Sequence, residues 1–157
     1  MDLARAPVSV WKGSHGKPVS TPEAIRAAVR WMPVRLGAYG DPAALPIAVI
    51  ANIARGTGHR VSGYTHGWRG RPDLAPYCMA SVHTEAEATE AHAMGWRTFR
   101  ARSEGAPNLG NEITCPSETR GTLCIDCLLC KGNVSKARSI TIPVHGATAR
   151  KALAVVQ

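Results

Sequence analysis

The chain has 157 residues, a length for one domain, with 45% apolar residues for a core and only 5% aromatics, so Ala, Val, Ile and Leu must build most of it. No apolar run nears the roughly 20 residues that span a bilayer, and the opening MDLARAPVSVW lacks a signal-peptide pattern, which predicts a soluble, cytoplasmic protein without a membrane role. The formal net charge is +8, carried mostly by arginine, whose planar paired donors suit phosphates and carboxylates; a basic solvated surface and an anionic partner such as nucleic acid both remain open.

In chain order, Thr21 to Met32 reads as a helix, with Thr21 as N-cap, Pro22 in the first turn and Pro33 as the stop. Val34 to Tyr39 alternates like a strand, and Gly40-Asp-Pro42 turns the chain. Pro46 to Arg55 is apolar enough for a buried helix, and Arg60 to Thr65 reads as a second strand. Tyr77 to Val82 is a third strand. Thr84-Glu-Ala-Glu87 is a capping box that opens an Ala-rich helix to Met94, ended by Gly95. Trp96 to Ala101 follows as a strand, which completes a β-α-β unit with parallel strands and a right-handed crossover. Asn111 to Thr114 is a short strand, Ser139 to Val144 the last, and 147–156 a closing helix. The alternation predicts one α/β domain over residues 1–157, as a partial barrel or an open, mostly parallel sheet, with a metal-binding loop at 115–132.

Five cysteines are present, and Cys115, Cys124, Cys127 and Cys130 fall within sixteen residues. Such a group in a cytoplasmic chain reads as metal binding, not as a disulfide framework. The spacing is C-x8-C-x2-C-x2-C. A zinc site takes two C-x2-C knuckles that grip one ion from two sides. Three cysteines at successive intervals of three are awkward around one ion and natural around the separate irons of a cubane. A [4Fe–4S] cluster on these four thiolates is therefore the expectation, with structural zinc as the alternative. Four thiolates and a +2 cluster core would bring the net charge to about +6. Four cysteine ligands leave no iron open, so the centre would be structural, redox-active or a sensor. Cys78 lies in an apolar strand and reads as a small buried hydrophobe.

Polar residues follow the predicted strands at their C-terminal ends: Asp41, His66, His83, Arg100, Cys115 and His145. In parallel α/β folds these ends meet at the ligand face. Asp41, His66 and His145 are thus candidates for a cofactor or ligand pocket beside the metal centre, while Asp41 also suits a cap of the turn at Pro42. The run Tyr64 to Arg71 mixes aromatic and basic residues, as a surface for single-stranded nucleic acid would. It fits equally a loop whose Trp68 packs on the core.

The strings RLGAYGDPAALP (35–46), GYTHGWR (63–69), CMASVHTEAEATEAHAMGWRTFR (78–100), the CP…CxxCxxC segment and IPVHG (142–146) together resemble a family of uncharacterised, cysteine-rich phage and prophage proteins. The resemblance covers most of the chain from about residue 5 onward. It implies a reduced α/β barrel distantly similar to radical-SAM barrels, a metal site and, for a phage-encoded chain, the host cytoplasm. Longer members carry further cysteines upstream of the string that is Ala6-Pro-Val-Ser-Val-Trp11 here. The C-x3-C-x2-C radical-SAM pattern is absent from the chain, and the resemblance implies no particular reaction. Two functions of different class follow: a [4Fe–4S] protein with a structural or redox role, and a zinc-stabilised basic module that binds nucleic acid or a host protein.

Overall fold

A computed structural model describes residues 21–29, 32–38 and 40–144. The predicted closing helix at 147–156, His145, and the ends of the first predicted helix and strand (Arg30, Trp31 and Tyr39) lie outside the described residues. The elements are α1 (Pro22–Val29), β1 (Val34–Leu36), α2 (Ile47–Gly56), β2 (Val61–Thr65), β3 (Met79–Val82), α3 (Glu85–Ala93), β4 (Thr98–Arg102), β5 (Glu112–Thr114), α4 (Pro116–Arg120), α5 (Cys124–Cys127) and β6 (Ser139–Pro143). Short 3-10 turns lie at Pro42–Ala44, Gly67–Arg69 and Pro72–Leu74. No described helix is long and apolar enough to cross a membrane.

All six strands pair in parallel, in one open sheet of order β1-β2-β3-β4-β6-β5. Of the two sheet forms expected, the open sheet is the one observed. The first four strands are laid down in one direction. The chain then skips a position to form β5 at the far edge and returns to insert β6 beside β4. This reversal matters, because parallel crossovers share one hand. A connection that runs back along the sheet must cross the opposite face from one that runs forward.

The pleat bears this out. Leu36, Val61, Ala80 and Val82 point to one face and join Ile50, Ala54, Ala88 and Ala91 of α2 and α3 in the core. Alanine at 88 and 91 lets α3 approach β3 and β4 closely, and its entry is fixed by the capping box: Glu87 N–H donates to Thr84 Oγ1 at 3.1 Å, and Thr84 N–H donates back to Glu87 Oε2. Trp68 and Leu74, from the β2–β3 connection, complete this core. Residues that alternate with these (Arg35, Ser62, Tyr64, Phe99, Ile140 and Ile142) face the other way, toward the β5–β6 connection.

The edge formed by β5 is tied to β4 across β6. Arg100 donates from Nε and Nη2 to both oxygens of Glu112, at 2.8 and 2.7 Å, with both residues buried. Arg100 Nη2 also reaches Pro107 O, and Leu109 N–H donates to Glu112, so the pair closes the 103–111 loop. Sequence placed Arg100 among the polar groups at strand ends facing a ligand; its Nε and Nη2 are instead bonded to structural partners. Breaking a buried pair from one side strands the other charge, at a cost of about 3–5 kcal/mol. Glu112→Gln is therefore expected to lower stability by about that amount in urea denaturation, and a loss of less than about 1 kcal/mol would mean that the pair carries no such charge burden.

Candidate metal centre

Each cysteine is placed by a different local device. Cys115 leaves β5 with its N–H donating to Thr141 O of β6 at 2.9 Å, so the sheet itself holds it. Pro116 then opens α4, a position where its missing N–H costs nothing, and Gly121 ends that helix in the left-handed region. Cys124 and Cys127 begin and end the single turn α5, three residues apart and thus on one side of it. Leu128 follows with φ 51°, a left-handed conformation that a leucine adopts only under constraint, and this bend redirects the chain toward Cys130. Cys130 O accepts the N–H of Gly63 at 2.9 Å, which anchors the far end of the segment on β2.

The connection thus starts at one edge of the sheet and reaches four strands across it. Two contacts hold it there. Gly132 passes so close to the β2–β3 connection that a Cβ would lie 2.2 Å from Ala75 O, and the next residue, Asn133, donates its N–H to that same oxygen at 2.8 Å. The second contact is Arg97, just before β4. Its Nη1 donates to Leu129 O and Lys131 O at 3.0 and 2.6 Å, its Nη2 to Arg138 O at 2.6 Å, and its Nε to Ala137 O at 2.8 Å. One buried guanidinium therefore holds the carbonyls on both sides of Cys130 and both carbonyls that lead into β6.

With the segment so placed, all four cysteines line one cavity of about 190 Å³ against the face of the sheet opposite α2 and α3. Its wall on the sheet side includes Phe99, Ile140 and Ile142. Tyr64 stacks on Phe99 with ring centroids 4.4 Å apart, and Arg35 Nη2 donates to the Tyr64 hydroxyl at 2.7 Å. None of the four forms a disulfide, and Cys124 is the most open of them. Burial pushes the Cys130 thiol up to about 12; the neighbouring Cys115, Cys124 and Cys127 add to this, and the Arg97 cation opposes it. The thiols therefore feel one another. Among the described residues, no three His, Cys, Asp or Glu side chains gather closely enough to hold a single ion. All four cysteines nevertheless border the one cavity.

Asp41 and His66 come together, as their strand-end positions suggested, but they do not line the cysteine cavity. Asp41 caps the turn at Pro42, with Oδ1 accepting from Ala43 N–H at 2.8 Å and from the Thr65 hydroxyl. Its Oδ2 accepts from His66 N–H at 2.7 Å and lies 3.5 Å from His66 Nδ1. Burial would raise the Asp41 pKa, but the hydrogen bonds from Thr65, Ala43 and His66 outweigh it and hold the carboxyl below its ordinary value. Trp68 is buried with its Nε1 donating to Ser81 O at 3.2 Å, so the Tyr64–Arg71 run is a packed loop and not an open stacking surface. Cys78 is buried, as expected, and burial pushes its thiol up to about 12. Arg97 and Ser81 were not singled out by sequence reasoning: Arg97 sits in a strand-like string where nothing marks it as different from Arg100, and a lone Ser in an apolar strand gives no signal.

No family model, curated protein or solved structure matches the chain.

Arg97 offers a direct test of how the segment is held. Lysine keeps the charge but not the planar fork that reaches four carbonyls. Arg97→Lys is expected to cost about 2–3 kcal/mol in denaturant unfolding and to raise protease cutting within 121–138; an unchanged cutting pattern would show that the segment holds itself.

Proposed function

We propose that Cys115, Cys124, Cys127 and Cys130 hold a [4Fe–4S] cluster with a structural or electron-transfer role. The observation that carries the reading is the shared cavity: four thiols from a strand end, a single helical turn and a clamped extended segment border one space. A cubane needs its four ligands spread over different irons, whereas one zinc needs them drawn to a point. The described residues place all four cysteines on the border of that one cavity, which supports the first arrangement.

The chain's own residues supply the rest. Phe99, Ile140 and Ile142 give the site an apolar wall on the sheet side, and Arg97 places a fixed positive charge beside Cys130. The Arg97 charge favours an anionic, sulfur-ligated centre, and both features bear on its potential. When bound, the cluster supplies one-electron chemistry or cross-links the segment to the sheet; with every iron ligated by cysteine, no position is left for substrate. Metal loading must also displace thiol protons, so loading is expected to weaken as pH falls.

The alternative, a zinc-stapled basic module, draws less from the structure. Arg97 and Arg100 are buried and bonded, and Arg69 and Arg71 pair with Glu90 and Asp73 at the surface, so part of the positive charge is already paired within the chain.

Anaerobically purified protein is expected to be brown, with about four irons and four sulfides per chain. Single Cys→Ala changes at positions 115, 124, 127 and 130 should each lower that content, and Cys78→Ala should not. Colourless protein with one zinc per chain would overturn the proposal.

A further inference from the structure

We infer that Ser81, His66 and Asp41 form a second site, a nucleophile–base–carboxylate relay suited to acyl transfer from small activated esters. The three residues come from the C-terminal ends of β1, β2 and β3, which lie side by side, and parallel α/β sheets bind ligands at these ends. Ser81 Oγ lies 3.1 Å from His66 Nε2, and His66 Nδ1 lies 3.5 Å from Asp41 Oδ2. This is the order and connectivity of a serine nucleophile, its base and the group that orients the base, which is recognised by geometry and not by position in the chain.

The surroundings favour this use of the groups. Asp41 is fixed by three donors, Ala43 N–H, Thr65 Oγ1 and His66 N–H, which keep it charged and immobile. A carboxylate facing Nδ1 favours the tautomer protonated there and leaves the Nε2 lone pair toward Ser81. Ser81 is itself held by strand pairing with Phe99 and by the Trp68 indole on its carbonyl. A core role for His66 does not explain the arrangement, because its side chain is 63% exposed. Asp41 Oδ1 serves the cap, while Oδ2 both accepts the His66 N–H and faces Nδ1 of the same residue. The nearly buried Ser81 beside an open imidazole limits the acyl group to a small one.

In the reaction, Ser81 Oγ bonds to the ester carbonyl carbon while His66 Nε2 takes the hydroxyl proton. The tetrahedral adduct collapses, the bond to the leaving alcohol breaks, and His66 returns the proton to that alcohol. Water then attacks the acyl-serine with His66 again as base, which releases the acid and restores Ser81. Ser81 and His66 are the catalytic residues, and Asp41 is a positioning residue. No metal takes part, so the site stands or falls apart from the cluster.

The test is labelling of the full chain with a fluorophosphonate probe, in which the serine oxygen displaces fluoride, followed by peptide mass mapping. One adduct on Ser81 is expected. His66→Gln should slow its formation by at least about 100-fold, with an unchanged far-ultraviolet spectrum. Asp41→Asn retains an oxygen for the Ala43 cap but removes the charge, so it should lower the maximal rate of labelling while leaving the probe concentration for half-maximal rate unchanged. Folded wild-type protein that stays unlabelled, an adduct on another residue, or a Ser81 adduct whose rate is unchanged in His66→Gln would each overturn the inference.

Discussion

The site depends on one constraint of parallel sheets: crossovers keep one hand, so a connection that runs backwards along the sheet crosses the other face. Four strands run forward, with α2 and α3 on one side. The return from β5 to β6 is the backward step, and all four clustered cysteines sit in it. Without that reversal the segment would compete with the helices for the same face. With it, the cysteines gain the sheet surface opposite α2 and α3, walled by Phe99, Ile140 and Ile142. The buried Arg100–Glu112 pair secures the edge from which the return begins.

A long connection with little apolar content cannot hold its shape by burial alone. Here polar anchoring does the work that a helix face would otherwise do. Arg97 gathers four carbonyls, Gly63 takes Cys130 O, and Gly132 permits an approach that a methyl group would block. These contacts fix the backbone on both sides of Cys130. The same Arg97 charge lies beside Cys130, whose thiol is pushed up by burial and by the three neighbouring cysteines.

Much of this was legible in the residues. All six strands, the Thr84–Glu87 capping box and the buried Trp68 and Cys78 are where periodicity and capping chemistry put them. The two short helices α4 and α5 were not, because a five-residue and a four-residue turn carry no periodicity. Nor was the strand order, although the apolar Ile140 of β6 against the short polar Glu112–Thr114 of β5 hints at which of the two is central. Asp41 and His66 do meet, yet away from the cysteine cavity, since they stand at the ends of strands while the cysteines lie across a face. Arg97 and Arg100 occupy the same string and differ only in what they meet in three dimensions, which one sequence does not encode locally.

The central claim is that four thiolates share a multinuclear centre and not a single ion. X-ray absorption at the metal edge of anaerobically prepared protein tests it most directly. The account predicts an iron edge with an all-sulfur first shell and a further metal–metal scattering shell, lost together when Cys130 is replaced by alanine. A zinc edge with four sulfurs and no metal–metal shell would contradict it.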